Sequence, residues 1–277
     1  MKQEPDQSGL VQQAEELIAL RRFTPARVGL GRTGTSITTR HALEFSLAHA
    51  QARDAVYSAL AVPSLLASLR ERGIAAVVVR SAAADRTEYV RRPDLGRRLA
   101  DVAAKLLSAG SPKTKPSLDA AKTISILLAD GLSALAVERH ALPVLDALLP
   151  LLKVGEADST WRLAPVVVAE QARVALGDEI GHALNADVTV VLIGERPGLS
   201  SPDSLGAYIT WSPRPGRTDA ERNCISNIRS EGLDYSSAAA KISWYITEGR
   251  RLGLSGVQIR ESGKAIGPSI LHDTADM

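Results

Sequence analysis

The run Val188-Thr189-Val190-Val191-Leu192-Ile193 passes straight into Gly194-Glu195-Arg196-Pro197-Gly198, and its reading decides the fold. Unbroken β-branched and apolar residues of this length mark a strand buried on both faces, the pattern of a parallel sheet covered by helices. The Gly-Pro-Gly punctuation then ends it in a turn. Moving upstream, residues 123–128 repeat the buried-strand character and are followed by Asp130-Gly131-Leu132-Ser133 and a helical pattern over 134–152. A second apolar run covers 166–168 and precedes a helix over about 177–185. Downstream, residues 208–211 read as a fourth strand and 236–252 as a last helix. Strands and helices alternating at this spacing predict an α/β fold with a Rossmann-like parallel sheet. Such sheets bind ligands at the carboxyl ends of their strands, which marks two loops, 130–133 and 194–203.

The first part of the chain has a different texture. Residues 26–110 read as mainly helical, with helices over 41–60, 65–72 and 95–108 and one short β-branched run at 74–79. Thr38 or Thr39 suits the first N-cap, Pro63-Ser64 opens the second helix and Pro93-Asp94 the third. Residues 1–25 form a polar arm with an amphipathic pattern at 11–22. The Pro-flanked link 111–117 separates the mainly helical domain from the Rossmann-like domain, 111–277.

Composition narrows the function classes. Among 277 residues, 33 basic and 31 acidic side chains nearly cancel, which argues against nucleic-acid or membrane-surface binding through bulk charge. The single cysteine rules out an intrachain disulfide and a cysteine-based zinc site built by this chain alone. No signal or membrane-spanning stretch is evident; the most apolar run, 141–152, is short and carries Pro143, Asp146 and Pro150. These features predict a soluble, cytoplasmic protein. With five histidines and 4% aromatics, a self-sufficient active site would have few acid–base parts.

Several motifs have both a functional and a plain reading. Gly29-Leu30-Gly31-Arg32-Thr33-Gly34 matches G-x-G-x-x-G, with Asp54 downstream, but the preceding segment is charged and contains Pro25. A dinucleotide loop must leave a strand and open a helix directly, so a Gly-rich packing loop is the alternative. The Glu195 loop either presents a fixed acceptor at the sheet edge, backed by a helix start near 202–204, or is an ordinary solvated βα turn. Cys224, in Asn223-Cys224-Ile225-Ser226-Asn227, is a nucleophile or a small packing residue; no histidine stands near it in sequence. The Arg91–Arg98 cluster, read at a helix N-terminus, sits badly against the macrodipole and suggests a specific partner or a solvated face. His41, His49, His140, His182 and His272 show no metal-ligand spacing beyond the 41/49 pair.

Taken in order, Ala26-Arg-Val-Gly-Leu-Gly-Arg-Thr-Gly34, Arg92-Pro-Asp-Leu-Gly-Arg-Arg98, Asp130-Gly-Leu-Ser133, Gly194-Glu-Arg-Pro-Gly198 and Cys224-Ile-Ser-Asn-Ile228 resemble the small (light) subunit of ethanolamine ammonia-lyase. The resemblance runs from Ala26 to about Gly256. It implies one subunit of an adenosylcobalamin-dependent lyase that converts ethanolamine to acetaldehyde and ammonia by a radical route. A barrel-shaped large subunit would carry the chemistry in a hetero-oligomer, and this chain would close over one side of the cobalamin. The family's cobalamin contacts fall on Val174, Glu195 and Cys224, with no catalytic residue and no metal ligand from this chain. The base-off ligand motif Asp-x-His-x-x-Gly is absent from the sequence, so cobalt is expected to keep the cofactor's own benzimidazole. Family members packaged in a bacterial microcompartment carry a longer N-terminal extension than the roughly 25 residues here, which leaves encapsulation open. The competing readings are a stand-alone NAD(P)-dependent oxidoreductase using the Gly29 loop, and a scaffold subunit without a ligand.

Overall fold

The computed structural model describes residues 19–24, 26–109, 121–156 and 159–259. The expected arm helix lies mostly outside the described residues, of which Leu20–Arg22 form a single 3-10 turn. The 111–117 link lies outside them too, as does all of the C-terminal tail after residue 259.

In chain order, a small hairpin of β1 (Arg32–Thr33) and β2 (Ser36–Ile37) precedes helices α1 (Thr39–Tyr57) and α2 (Val62–Glu71). Strand β3 (Ala76–Arg80), helix α3 (Arg86–Arg91) and helix α4 (Asp101–Ala109) follow. Next come β4 (Lys122–Ala129), α5 (Ala134–Leu151), β5 (Trp161–Leu163), β6 (Val166–Glu170) and α6 (Leu176–Ala183). The chain continues through β7 (Val188–Gly194), β8 (Leu205–Trp211), β9 (Asn223–Ile228) and α7 (Tyr235–Leu252).

One sheet has the order β3-β6-β4-β7-β8-β9, with β5 also paired to β4. The pairs β3–β6, β6–β4, β5–β4 and β4–β7 are parallel, whereas β8 and β9 run antiparallel to their neighbours. The sheet is therefore mostly parallel, compatible with a Rossmann-like course, and mixed at one side. β5 and β6 lie end to end along β4, broken at Pro165, whose nitrogen has no hydrogen to give a ladder. β3, from the mainly helical part of the chain, supplies one edge.

Alternation along the central strands sends residues to two cores. Ile124, Ile126 and Leu128 face α2, α5 and α7, whereas Leu127 and Ala129 face α4 and α6. The caps are local: Ser133 and Asp234 accept from the backbone N–H groups of Ala136 and Ser237, and Gly253 closes α7 in the left-handed region.

Three expectations need correcting. The helix expected over 95–108 is a 3-10 turn at Leu95–Arg97 and then α4, because Leu99 bridges to Ser81 and forces Arg98 into an extended conformation. The helix expected near 202–204 does not form; β7 turns back into β8, so the 195–204 connection is a ββ loop. The basic cluster lies at the C-terminus of α3, not at a helix start, so the helix dipole favours Arg91 there. Arg92 is answered by Asp94 through two bonds of 2.9 and 2.7 Å.

The carboxyl ends of β4 and β7 meet almost without space. Gly131, at φ 54°, brings its own Cα so near that an added Cβ would lie 2.1 Å from the Gly194 carbonyl oxygen. A Cβ on Gly194 would lie 2.0 Å from the Ser133 carbonyl oxygen and 2.7 Å from that of Asp130. Both obstacles are backbone and cannot rotate away. Gly194→Ala is expected to lower stability by about 2–4 kcal/mol, read as a reduced urea midpoint with an unchanged denaturant slope.

Candidate functional site

The carboxyl edge of the parallel strands opens into a pocket of about 400 Å³. Its walls come from three loops: Gly131 and Leu132 after β4, Arg173 and Val174 after β6, and Glu195 and Arg196 after β7. Ile193 and Gly194 at the end of β7, with Tyr89 and Tyr208, complete them. Helix α5 leaves β4 over one face of the sheet and α6 leaves β6 over the other, so the edge is parted where the connections diverge, as at the switch points of open α/β sheets.

Asp130 sets the β6 loop. Its carboxylate is buried, accepts the backbone N–H groups of Gln171 and Ala172 at 2.8 and 2.9 Å, and pairs with Arg86 at 3.3 Å. Burial pushes the carboxyl up, and the Ala172 N–H and the Arg86 charge pull it back only in part. Arg86 also donates to the Val56 carbonyl at 2.6 Å, tying the end of α1 to the same point. The Tyr89 ring stacks between two guanidiniums, Arg86 at 4.6 Å and Arg173 at 4.3 Å, while its hydroxyl donates to the Ala172 carbonyl at 3.0 Å. Arg173 Nε is buried with no hydrogen-bond partner.

Glu195 is fixed from two sides. Its Oε2 accepts the Ser204 hydroxyl and the Asn227 backbone N–H, the latter at 3.2 Å. Its own N–H donates to the Ser204 carbonyl at 2.9 Å. Oε1 accepts no bond among the described residues, which leaves one carboxylate oxygen free.

Of the three site residues expected from sequence, Val174 and Glu195 line this one pocket. Cys224 does not line it. It stands exposed on β9 directly opposite Tyr208, with Sγ 3.4 Å from the Ser226 hydroxyl. Directly paired residues of antiparallel strands share a face, so Cys224 abuts the wall that Tyr208 forms. Burial raises the Tyr208 phenol, with the neighbouring Cys224 and Glu195 adding to the rise, and keeps it a neutral donor. β9 is held in place by Arg222, buried against Asp178 of α6, and by Asn223, which exchanges two bonds with Gly256 at 3.0 and 2.8 Å. Burial pushes Asp178 up to about 6 even beside that guanidinium.

The other motifs fall elsewhere. Gly29–Gly34 belongs to the exposed β1–β2 hairpin, with no strand before it among the described residues and a second strand between its last glycine and α1. That is not the strand–turn–helix a dinucleotide needs. Asp54 is exposed near the end of α1. Among the described residues no group of histidine, cysteine or carboxylates is arranged to hold a metal ion, and no helix is long and apolar enough to cross a membrane. Tyr89, Arg173, Ser204 and Tyr208 were not singled out from sequence. Only position flags two of them: Arg173 adjoins Val174, and Tyr208 begins the strand expected over 208–211.

The fold and pocket define a mostly parallel α/β protein that presents one open, polar-lipped wall for a ligand. Comparison with known proteins gives the family. The model of the ethanolamine ammonia-lyase light chain (EutC) matches residues 14–260. An ethanolamine ammonia-lyase small subunit of Xanthomonas campestris pv. campestris strain B100 is 52% identical over 256 residues, covering 92% of this chain and 90% of the relative. The small subunit of Azotobacter vinelandii strain DJ is 52% identical over 245 residues, covering 88% of each chain. That of Pseudomonas aeruginosa strain PAO1 is 50% identical over 247 residues, covering 89% of this chain and 88% of the relative. The chain belongs to the ethanolamine ammonia-lyase light chain family, a family of lyase subunits, and the relatives' names imply a large subunit as partner.

Removing Asp130 strips two backbone donors of their acceptor and leaves Arg86 buried without a counter-charge. Asp130→Ala is expected to cost about 3–5 kcal/mol in chemical denaturation. Asp130→Asn, which can still accept from one N–H, should cost less.

Proposed function

We propose that this small subunit clamps adenosylcobalamin against a large subunit, in a complex that converts ethanolamine to acetaldehyde and ammonia by a radical route. The observation that carries the reading is the meeting of Val174 and Glu195, 21 positions apart in sequence, on one pocket at the carboxyl edge. A corrinoid has an apolar ring rimmed by amide side chains, and the pocket offers matching parts. Val174, Leu132 and Ile193 are apolar, Glu195 has a free acceptor oxygen, and Arg173 has a buried donor with no partner. At about 400 Å³ the pocket is the size of a small-ligand site. It would take an edge of so large a cofactor and leave the rest to a second chain.

When bound, the cofactor supplies the radical chemistry. This chain's residues bind and orient. Glu195 accepts from a peripheral amide, Val174 covers an apolar part of the ring, and Arg173 and Arg196 donate to carbonyl or other oxygen acceptors. Cys224 serves as a packing or weak polar contact on the neighbouring strand. The mainly helical part, 26–110, and the Rossmann-like part, 111–277, are taken as its two domains; all three proposed contacts lie in the second. No observation favours the oxidoreductase reading, since its glycine loop is a hairpin turn.

Reconstitution tests the reading. The isolated chain is expected to show no ethanolamine deamination, and activity should return on adding the large subunit and adenosylcobalamin. Activity of the chain alone would refute the clamp. Glu195→Ala should raise the dissociation constant for adenosylcobalamin about 10- to 100-fold, the loss of a charge-assisted hydrogen bond, with the KM for ethanolamine unchanged. If cofactor affinity survives loss of Val174, Glu195 and Cys224 together, the chain is a scaffold.

The lower ligand gives a spectroscopic test. None of His41, His49, His140 and His182 lines the pocket. Electron paramagnetic resonance of the turning-over complex should show coupling to the benzimidazole nitrogen; coupling to a nitrogen-labelled protein imidazole would overturn this.

A further inference from the structure

The loop that carries Glu195 is tied down at its far end by contacts that the cofactor reading does not use. Ser133, the N-cap of α5, donates its hydroxyl to the Pro202 carbonyl at 2.8 Å. One residue on, Asp203 Oδ2 accepts from Arg139 Nη1 at 2.7 Å and faces His140 Nε2 at 3.4 Å. His140 is itself buried, and its Nδ1 lies 2.9 Å from the Tyr235 hydroxyl at the start of α7. One tautomer satisfies both contacts: Nε2–H donates to Asp203 while Nδ1 accepts from Tyr235. Burial lowers the His140 imidazole, which keeps it neutral and suited to that arrangement. Burial works against the Asp203 carboxylate, but Arg139 and His140 outweigh it and hold the group below its usual range.

Asp203 is bonded directly to Ser204, and Ser204 is the residue that orients Glu195. It donates its hydroxyl to Glu195 Oε2 and accepts the Glu195 N–H on its carbonyl. We infer that Asp203, clamped by Arg139 and His140 of α5, is a positioning residue for Glu195. It fixes Ser204, and through it the carboxylate, so that Oε1 faces the cofactor already aligned. The inference rests on the proposed role of Glu195 and adds a line of command from α5 to that residue.

The complex of both subunits is the material for the test. The dissociation constant for adenosylcobalamin is read from the absorbance change of the corrin on binding, and the KM for ethanolamine is measured in parallel. Asp203→Asn is expected to weaken cofactor binding about tenfold, at the low end of what loss of a supporting partner costs a ligand group, with KM unchanged. Arg139→Ala breaks the same clamp from a side chain that is 55% exposed, so it carries the test if Asp203→Asn fails to assemble. Combining Asp203→Asn with Glu195→Ala should bind no worse than Glu195→Ala alone, because the first acts only through the second. Fully additive losses would overturn the inference, as would wild-type affinity in both clamp variants while Glu195→Ala is weakened. An unaffected Glu195→Ala would remove the cofactor reading and this inference together.

Discussion

The buried carboxylate of Asp130 ties together more of this protein than any other group. It ends a central strand, holds two consecutive backbone N–H groups of the next strand's loop, and answers a guanidinium that reaches in from a short helix of the first part of the chain. A buried ion pair of this kind gives little net stability compared with apolar replacement of both partners, yet loss of the carboxylate alone leaves several buried polar groups without partners. What it supplies is geometry. With Gln171 and Ala172 fixed, Arg173 must turn across Tyr89 and Val174 must face the pocket. The Arg86–Tyr89–Arg173 stack repeats the restraint from the other side, so the β6 loop is held by charge, ring contact and backbone at once.

The neighbouring loop after β7 is held differently. Gly131 and Gly194 let the ends of β4 and β7 touch through backbone alone, and the Leu132 N–H donates to the Gly194 carbonyl at 2.9 Å. Glu195 thus leaves the sheet at a point set by steric contact. Its side chain is then turned by Ser204, just before β8, and by Asn227 of β9. The antiparallel strands at this side of the sheet therefore reach the candidate site. They bring Ser204, Tyr208, Cys224 and Asn227 beside a pocket that the parallel strands begin.

Most of the sheet was legible because burial on both faces leaves an unbroken apolar run. β4, β6 and β7 all have it, and their expected limits differ from the observed ones by one or two residues at most ends. β9 was hidden. Its residues alternate between buried and exposed, Asn223-Cys224-Ile225-Ser226, and polar side chains fill the exposed places. The same difference makes the Glu195 loop read as a βα turn. A βα turn and a ββ turn share the Gly-Pro-Gly signal, and what separates them is the partner of β8, which lies in long-range pairing. α3 was missed because six residues hold too little periodicity. Yet α3 delivers Arg86 and Tyr89, so the part of the site that escaped sequence reading was the part built by contacts between distant segments. Glu195 was legible from its motif, whereas Ser204, which aims it, has only an ordinary loop serine's signal.

These restraints bear on how the proposed clamp works with only part of the cofactor's contacts on this chain. A hydrogen bond made on binding contributes only about 0.5–1.5 kcal/mol net between neutral groups, and more when one partner is charged. Ordering a free side chain at the moment of binding costs about as much. An acceptor such as Glu195 can add affinity only if its position is settled before the ligand arrives. Here the ordering is done during folding, by Ser204, Asn227 and the contacts behind Asp203, and is offset by the burial of two apolar cores. The carboxylate keeps one oxygen bound to the protein and one free. On the proposed clamp reading, a second subunit closes over a wall whose polar groups are few but already aimed by the fold.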